Sequence, residues 1–414
     1  MTNEVLQKTA SDEQNVSSSN GLEPLPKLRF LEFKNTYKKT KLNEAVERIQ
    51  RRDPTSEAPV MMLSAASGFI MQSEKYSREN AGQSLKKYIL LRKGELAYNH
   101  GASKYKPFGC CFELKEDEAR IPYVYHCFAV KENNDKSYIA RLLNNQKIDQ
   151  QLKRLISSSV RMDGLLNISY EEYTGIDLYL PSLLEQQKIA DFLFLVDRRI
   201  EKQRQLVESL KKYKRGLFLK LYNDSDKSII SFKNIYEMAS EGGTPSTSDS
   251  ENYENGKIPF IKIDDLNQHY LNFAKYFITE KGLKKSSAWI VPENSIIYSN
   301  GATIGACSIN KIPVTTKQGI LGIVPKSNFS VEFLYFFFTS SIFKQKIKAI
   351  TTKGTMDCAY LKDINGIKIS IPDFIAQQKI AKIMVDFENL IERTELSFIY
   401  LQNIKKALLQ QMFI

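Results

Sequence analysis

The sequence contains little of the material from which disulfide-rich, secreted or membrane-spanning proteins are built. Its 414 residues include five cysteines, three histidines and one tryptophan. An odd, scattered set of cysteines does not suit a disulfide framework and favours reduced thiols in a cytoplasm. Residues 1–20 hold no apolar signal-peptide core, and the longest apolar run, Phe333–Phe338, is far shorter than a membrane span. We therefore expect a soluble, cytoplasmic protein without a membrane partner.

Signatures of nucleotide and methyl-donor enzymes are also missing. The sequence has no Gly-x4-Gly-Lys-Ser/Thr phosphate loop and no glycine-rich strand–helix turn for a dinucleotide or methyl donor. Ser299–Gly305 has two glycines at the wrong spacing and is predicted as a turn at a strand end. The Asn/Asp-Pro-Pro-aromatic run of amino-methyltransferases is absent as well. We expect no cofactor to be bound by this chain.

A metal site and a catalytic set are disfavoured. The side chains that suggest a metal are His100, Cys110, Cys111, His126 and Cys127. They lack the paired spacing of zinc sites, and adjacent cysteines rarely direct both sulfurs at one ion. Glu113 and Lys115 could form half of a metal-dependent nuclease site, but no partner carboxylate is placed nearby in sequence. The chain therefore looks like a binding protein that holds no metal and has no catalytic residues.

Positive charge is the first feature that indicates a partner. Lysine and arginine number 59 against 47 aspartates and glutamates, which gives a net charge of +12 and a pI near 9.2. Hydrophobic residues make up 42% and charged residues 26%, as in ordinary globular proteins. The length allows two or three domains. The excess of positive charge favours a polyanionic partner, although by itself it is a weak indication.

A stretch of the chain recurs after 191 residues. Pro181 followed by Gln186–Ala190 returns as Pro372 followed by Gln377–Ala381. Apolar residues continue each copy at alternating steps of four and three, the spacing of a coiled-coil seam. The seam residues are Ile189, Leu193, Val196, Ile200, Val207, Leu210 and Leu217, then Ile380, Met384, Phe387, Ile391, Phe398, Leu401 and Leu408. The repeat predicts two long amphipathic helices.

Polar residues interrupt the two seams at the same points. Gln203 and Lys214 in the first copy correspond to Thr394 and Lys405 in the second. Matched interruptions favour helices that pair with each other or with a common partner; the alternative is two unrelated amphipathic helices buried in separate cores. At a seam position, a lysine can extend to water or meet a carboxylate of a docked subunit.

The start of each helix is marked by a capping signal. Pro181 ends the preceding segment, Ser182 is a suitable N-cap, and Glu185 is placed to complete a capping box. Asp373 is the cap of the second copy, which lacks the glutamate. The first helix is predicted over Leu183–Leu221.

The segments follow one another in the order globular domain, long helix, globular domain, long helix. We therefore predict an α+β chain in a pseudo-twofold repeat, with two mixed globular domains joined and separated by two long helices that form an antiparallel coiled coil. The segments are a disordered tail (1–26), a first globular domain (27–180), the central helix (181–224), a second globular domain (225–371) and the C-terminal helix (372–414). Residues 183–221 span roughly 58 Å as a helix, against about 34 Å for one turn of B-DNA. Domains held that far apart would meet DNA about one and a half to two turns from each other.

Local patterns predict the elements inside each globular domain. In the first domain these are a helix over Leu42–Arg51, strands at Lys87–Leu91, Tyr123–Tyr125 and Phe128–Val130, and a helix over Tyr138–Ile156. In the second they are a loop at Glu241–Ser250, strands at Ile258–Ile263, Ser295–Tyr298, Val314–Thr316 and Gly319–Val324, and a helix over Val331–Ile350.

The combination of motifs resembles the specificity (S) subunit of type I restriction–modification enzymes. The recurring Pro-x4-Gln-Gln-Lys-Ile-Ala at the head of each long helix carries most of the resemblance. The other motifs are Lys27–Phe30, Lys34–Tyr37 and Lys41–Leu42 at the N-terminal entry, Gly243–Ser246, Tyr253, Gly256 and Ile258–Ile261 in the second domain, and Arg161–Ile168 in the first. Together they cover nearly the whole chain after the tail.

The resemblance implies a function and a set of partners. Each globular domain would be a target recognition domain reading one half of a split double-stranded DNA sequence, and the paired helices would fix the gap. Two methyltransferase (M) subunits would dock on this chain, and motor-nuclease (R) subunits would join them. S-adenosylmethionine, ATP and Mg²⁺ would then belong to those partners, which perform adenine methylation and restriction.

Candidate DNA contacts are polar and basic residues on predicted loops, because such side chains donate to phosphates and base edges. In the first domain they are Tyr98, Asn99, Lys104, Tyr105, Lys106 and Arg161, and in the second Thr244, Ser246, Ser299, Asn300, Thr316, Lys317, Gln318, Lys353 and Thr355. The run that begins at Tyr98 could equally be a solvated hairpin loop.

The two domains differ in sequence type. The first lacks a Gly-Thr-Pro-Ser loop, and Glu254 stands where the family frequently has tryptophan. An asymmetric bipartite target follows from the resemblance. A coiled-coil scaffold that binds no DNA and a stand-alone nuclease are the alternative functions.

Overall fold

The computed structural model describes residues 25–75, 82–101, 103, 106–155, 166–266, 268–301, 303–351 and 357–414. The chain divides into two compact units. Unit 1 comprises residues 1–201 and 399–414, and unit 2 comprises residues 202–398. Both divisions fall within long helices, whereas the sequence placed its domain boundaries near the helix ends. Most of the predicted tail lies outside the described residues. No described helix is both long and apolar enough to cross a membrane.

Unit 1 is built from short antiparallel strand pairs and helices. Its strands are β1 (Lys38–Lys41), β2 (Val46–Arg48), β3 (Met61–Ser64), β4 (Gly68–Met71), β5 (Ile89–Arg92), β6 (Leu96–Asn99), β7 (Cys110–Glu113), β8 (Glu118–Ile121), β9 (His126–Val130) and β10 (Asp177–Leu180). Its helices are α1 (Leu42–Ala45), α2 (Gln72–Lys75), α3 (Lys136–Leu142), α4 (Gln146–Leu155), α5 (Tyr170–Thr174) and the first part of α6 (Leu183–Asn223). A 3₁₀ helix spans Gly82–Lys87.

The main sheet of unit 1 has the order β2-β9-β6-β7 and lies between two apolar cores. Successive residues of a strand point to opposite faces. Leu96 and Tyr98 accordingly join one core, which also contains Leu193 of α6 and Phe413 near the C-terminus. Ala97 joins the other core. Three further pairs, β1–β10, β3–β4 and β5–β8, complete the described sheets of this unit.

Unit 2 follows a similar plan. Its strands are β11 (Lys227–Ser231), β12 (Tyr236–Glu241), β13 (Ile258–Ile261), β14 (Tyr270–Leu271), β15 (Tyr276–Ile278), β16 (Ile296–Ser299), β17 (Cys307–Asn310), β18 (Thr315–Thr316), β19 (Ile320–Pro325) and β20 (Lys368–Pro372). Its helices are α7 (Glu280–Lys284), α8 (Val331–Thr339), α9 (Ser341–Ile350), α10 (Leu361–Gly366) and most of α11 (Phe374–Gln411). Short 3₁₀ helices span Phe232–Asn234, Ser250–Asn252 and Ile263–Asp265.

A five-stranded sheet of order β12-β19-β16-β17-β14 forms the centre of unit 2. Ile296 and Tyr298 of its middle strand face an aromatic core built by Phe333, Phe337 and their neighbours on α8 and α9. Ile297 faces a second core on the opposite side of the sheet. The pair β11–β20 closes the unit next to the start of α11, as β1–β10 does next to the start of α6.

The recurring glutamine at the head of α6 fixes the helix to the globular domain by hydrogen bonds. The side-chain amide of Gln186 donates to the carbonyl of Pro181 (3.0 Å) and its oxygen accepts from the backbone N–H of Asp135 (2.9 Å). Asp135 is the N-cap of α3. The motif therefore ties the first turn of the long helix to the start of a domain helix.

The second copy repeats this arrangement. The amide of Gln377 donates to Pro372 (2.9 Å), and its oxygen accepts from the N–H of Ser330 (3.0 Å), the N-cap of α8. Both glutamines are fully buried. The repeated sequence thus specifies a repeated junction between helix and domain.

The capping predictions were right for Asp373 and half right for the first helix. Asp373 accepts from the N–H of Ala376 (2.8 Å), and Ser182 accepts from the N–H of Glu185 (3.4 Å). The buried carboxylate of Glu185 does not close a capping box; it accepts from Arg29 (2.7 and 2.8 Å) and Tyr37 (3.1 Å). Burial and this carboxylate raise the pKa of Tyr37.

The seam positions of α6 and α11 are all buried or half-buried. Within unit 2 the side chain of Gln203 donates to the carbonyl of Thr394 (3.1 Å), its counterpart in the repeat. Lys214 forms an ion pair with Glu388. These contacts set α6 and α11 antiparallel in this unit.

In unit 1 the equivalent ion pair joins Lys405 to Asp197 (2.7 Å), and Arg141 of α3 also binds Asp197 (2.7 Å). Asp197 and Glu388 are themselves related by the 191-residue repeat. Both seam lysines therefore meet carboxylates of this same chain, whereas the sequence suggested water or a docked subunit.

Several predicted elements were wrong in extent. Leu42–Arg51 is helical only over α1, because the following residues pair with β9 as β2. Tyr123–Tyr125 forms a turn. The predicted helix over Tyr138–Ile156 is broken at Asn144, whose side chain bonds the backbone of Cys111. Predicted strands overlap β5, β9, β13, β16, β18 and β19.

The predicted helix Val331–Ile350 is also two helices. Ser340 lies between α8 and α9, and its hydroxyl accepts from the N–H of Phe343 (3.4 Å). A serine that caps the second helix is favoured over one that continues the first, because it satisfies a free backbone donor.

Candidate nucleic-acid interface

Four loops of unit 2 meet at one end of its central sheet. They are residues 241–246, 299–301 with 303–305, 316–319 and 357–359. The carboxylate of Glu241 accepts from the N–H of Gly319 (2.6 Å), and the carbonyl of Gly319 accepts from the N–H of Asn300 (3.1 Å). The carbonyl of Asn300 in turn accepts from the N–H of Ala359 (2.9 Å). Hydrogen bonds therefore link the four loops.

The Gly-Thr-Pro-Ser motif, residues 243–246, lies in the first of these loops, directly after Gly242. A Cβ on Gly242 would lie 2.0 Å from the carbonyl oxygen of Thr316, so only glycine permits this close approach. Tyr253 donates its hydroxyl to the carbonyl of Pro245 (2.5 Å), and Asn252 donates to Ser246 (2.9 Å). The motif and the tyrosine after it therefore act together to fix the loop.

Some of the predicted DNA contacts of this unit lie on its surface. Thr244, Ser246, Lys317 and Gln318 are exposed, and the hydroxyl of Thr244 accepts from the N–H of Gln318 (3.4 Å). The surface thus presents two hydroxyls, a carboxamide and an ammonium group, which can contact phosphates and base edges. We name these four residues the polar loop surface.

Other predicted contacts of unit 2 are buried. Ser299, Asn300 and Thr316 have 0% exposure. Thr316 donates its hydroxyl to the carbonyl of Ile320 (3.1 Å). The prediction that these three side chains touch DNA is therefore wrong for this conformation, because the neighbouring loops cover them. Lys353 and Thr355 lie outside the described residues.

The predicted site of unit 1 is largely internal. Tyr98 is 1% exposed, donates to the carbonyl of Phe108 (2.6 Å) and stacks on Tyr173 at 3.8 Å between ring centroids. Burial raises its pKa. The prediction that Tyr98 contacts DNA is wrong, because its ring is part of the core.

Asn99 and Lys106, in the same run as Tyr98, use their side chains in internal hydrogen bonds. The half-buried side chain of Asn99 donates to Leu63 (3.3 Å) and accepts from the N–H of Gly101 (2.9 Å). Lys106 donates to the carbonyl of Asn144 (2.9 Å). These contacts favour the hairpin-loop interpretation of this run. Lys104, Tyr105 and Arg161 lie outside the described residues.

Sequence reasoning missed residues that shape the interface in unit 2. Glu241 organises the loop at Gly319, and its place before Gly242-Gly243 was a usable signal. Lys344 is exposed on α9 near Gly305, where an added Cβ would lie 3.9 Å from the lysine Cε. Nothing in the periodicity of α9 marks this lysine.

The histidines and cysteines of unit 1 form no metal centre among the described residues. Burial raises the pKa of Cys110 to about 11 and also that of Cys127, so both remain thiols at neutral pH. Burial, followed by the proximity of His100, lowers the pKa of His126 to about 4. Neutral His126 packs against His100 at 5.1 Å between ring centroids.

Glu113 has partners of its own. Its nearly buried carboxylate accepts from the hydroxyl of Ser137 (2.6 Å) and pairs with Lys115 (2.6 Å) and Lys136 (3.9 Å). A carboxylate held in this way is occupied by internal contacts, which weakens the nuclease alternative.

Comparison with known proteins finds relatives for the second half of the chain. Residues 225–399 match the family model of the type I restriction modification DNA specificity domain. The type I restriction enzyme MjaIX specificity subunit of Methanocaldococcus jannaschii is 33% identical over 192 residues, which cover 46% of this chain and 44% of that protein. Less than half of either chain is aligned. The resemblance inferred from the motifs is confirmed, and the match to a type I DNA specificity domain lies in residues 225–399.

Solved structures extend the likeness to nearly the whole chain. One, from work on complex assembly and conformational transition of the type I R-M system, covers 92% of this chain and 98% of its own, with 14% identity and a TM-score of 0.58. The type I restriction–modification S subunit from M. genitalium covers 94% of this chain and 99% of its own, with 16% identity and a TM-score of 0.54. These matches confirm the predicted fold class.

Proposed function

We propose that this chain is the DNA-binding specificity subunit of a type I restriction–modification system. It reads an asymmetric bipartite target and directs partner subunits to methylate adenine and to restrict unmodified DNA. The proposal rests on two features that lie in the same segment, residues 225–399. There the match to a DNA specificity domain and the polar loop surface of Thr244, Ser246, Lys317 and Gln318 fall in one segment.

The chain acts through its partners and has no catalytic site of its own. Two methyltransferase subunits would supply S-adenosylmethionine, and restriction subunits would supply ATP, Mg²⁺ and cleavage in the cytoplasm. Three features support this division: the missing nucleotide motifs, the internal contacts of Glu113, and the net charge of +12, which suits a partner built of phosphates.

Mapping modified adenines tests the proposal. DNA from cells that contain the partner subunits is sequenced with and without this chain. We expect modification at one split sequence only when the chain is present. Replacing residues 27–180 by the first domain of another specificity subunit should change one half of that sequence and leave the other unchanged. Modification that is indifferent to this exchange would contradict the proposal.

Binding measurements separate the alternatives. The assembled complex should bind its target with an affinity that falls steeply as salt rises, because phosphate contacts release counterions. Absence of binding to any duplex at low salt, with or without partners, would favour a scaffold. Mg²⁺-dependent cleavage by the purified chain that disappears in Glu113→Gln would favour a nuclease.

A further inference from the structure

Two consecutive residues at the end of β16 carry buried oxygens without partners. Ser299 is the last residue of the strand and Asn300 is the first of the loop, and both have 0% exposure. Neither Ser299 Oγ nor Asn300 Oδ1 has a hydrogen-bond partner among the described residues. The sequence suggested direct DNA contacts at these positions, which their burial excludes in this conformation.

An unpaired polar atom inside a protein reduces stability, so such atoms are uncommon in native structures. A site selected for stability alone would hold alanine or an aliphatic side chain here. Residues that lower the stability of a native protein in this way are frequently functional. The location of these two residues therefore matters.

Both residues adjoin the loops of the interface. Ser299 lies opposite Ile320 in the strand register, and Ile320 is the residue that follows the loop 316–319. The side-chain amide of Asn300 donates to the carbonyl of Ala359 (3.2 Å), while the carbonyl of Asn300 accepts from the N–H of the same residue. The N–H of Asn300 donates to Gly319. Asn300 thus joins two loops by three hydrogen bonds.

Asn310 provides a comparison within the same sheet. It is equally buried, but its amide donates to Pro292 (2.8 Å) and Ile312 (2.9 Å), and its oxygen accepts from the N–H of Ser295 (2.9 Å). Since β16 and β17 are antiparallel, Asn310 lies at the opposite end of the strand pair from Asn300. Asn310 is therefore a structural residue. Ser295 Oγ beside it also lacks a partner among the described residues, so it is the bonds of Asn300 to two interface loops that distinguish Asn300.

We infer that Asn300 and Ser299 are positioning residues for DNA recognition by unit 2. Asn300 holds the loops 316–319 and 357–359 together through its hydrogen bonds to Gly319 and Ala359. Ser299 lies at the strand end from which Asn300 follows, and the arrangement allows Lys317 and Gln318 to read one half-site. The inference rests on the proposed function. The unpaired oxygens remain because substitution by apolar side chains would change the loop arrangement and with it the sequence read.

The test compares Ser299→Ala and Asn300→Asp in the full chain with its partner subunits. Modified adenines are mapped in cells, and thermal unfolding is measured on the purified chain. We expect both variants to lose about tenfold in discrimination at one or two positions of one half-site. The other half-site should stay unchanged. Ser299→Ala should unfold at the same temperature as the unchanged chain or a higher one, because it removes an unpaired oxygen.

Asn310→Asp is the matched control. It should lower the unfolding temperature and leave both half-sites as they are. Unchanged half-sites in Ser299→Ala and in any Asn300 variant that folds would overturn the inference and leave the proposed function intact. If the unchanged chain directs no modification, the proposed function itself fails and this inference with it.

Discussion

A single buried amide explains why the first glutamine of the repeated motif recurs at the head of each long helix. Gln377 bonds Pro372 and Ser330, so it joins the strand before α11, the helix itself and the start of α8. Gln186 does the same in unit 1. The neighbouring glutamine of each pair, Gln187 or Gln378, is exposed. The first glutamine of the motif is therefore structural, and the second faces outward.

Replacing Gln377 should destabilise unit 2. Gln377→Leu leaves the N–H of Ser330 and the carbonyl of Pro372 without their partner in a buried site. We expect the free energy of unfolding to fall by about 2–4 kcal/mol. Urea unfolding of the chain measures the change. Gln378→Leu is the control and should alter stability by less than about 0.5 kcal/mol; equal losses in the two variants would contradict this account.

Acid should destabilise unit 1 through His126. Burial lowers its folded-state pKa to about 4 from an ordinary value of 6.5. Between these values the unfolded chain binds the proton and the folded chain does not, so stability is complete above about pH 6.5 and falls as the pH approaches 4. The loss from this group approaches roughly 3.4 kcal/mol once the pH lies below 4.

The measurement compares urea unfolding at pH 7.5 and pH 5.0. The variant His126→Gln should show a smaller drop between the two pH values than the unchanged chain. The carboxylates titrate alike in both proteins and cancel in the comparison. His269, whose pKa burial lowers to about 3, should behave in the same way in unit 2. Identical pH dependence in His126→Gln would refute the assignment.

The exposure of single side chains was predictable from the sequence on open loops and was not predictable at strand ends. Lys317 and Gln318 lie in a polar block between strands and are exposed as expected. Asn300 and Tyr98 carry equally polar groups, yet segments far away in sequence cover them. Ala359 reaches Asn300, and Tyr173 stacks on Tyr98. No local pattern shows which distant residue will cover a side chain.

At the scale of elements, the seam was predictable because its signal is periodic. Steps of four and three place every seam residue on one stripe, whatever the rest of the chain does. The ends of shorter elements were less predictable. Ser340 divides a helix, and β9 draws Val46 into a sheet, because capping and pairing outweigh helix propensity there.

The charge pair of the seam in unit 2 can be tested by exchange. Lys214→Glu places two carboxylates together at a half-buried position, and we expect a loss of about 1–2 kcal/mol in unfolding free energy. The double variant with Glu388→Lys should recover most of it. Lys212→Glu, on the exposed side of α6, is the control. Thermal unfolding at low and high salt is measured on the unchanged chain, the two single variants and the double variant. A double variant that does not recover the lost stability would exclude a specific ion pair.

At the scale of the whole chain, the repeat relates two domains of different sequence type. Equivalent contacts recur in both units, namely Gln186 with Gln377 and the pairs Lys405–Asp197 and Lys214–Glu388. The loops do not recur, because unit 1 lacks the Gly-Thr-Pro-Ser loop. Repeated junctions with unlike loops suit a protein that presents two different reading surfaces on one common support. The sequence indicated this organisation because each copy of the repeated helix follows one globular domain.

If the proposed function holds, the length of the paired helices should set the distance between the half-sites. Inserting one heptad after Glu201 in α6 and one after Phe398 in α11 keeps the seam in phase. Seven residues add about 10 Å, or roughly three base pairs. Mapping of modified adenines should then show a spacer longer by about that amount, with both half-sites unchanged. A heptad in α6 alone makes the two helices unequal in length, so the pairs Lys214–Glu388 and Lys405–Asp197 cannot both keep their register, and modification should be abolished. A spacer of unchanged length in the doubly extended chain would show that something other than these helices fixes the gap.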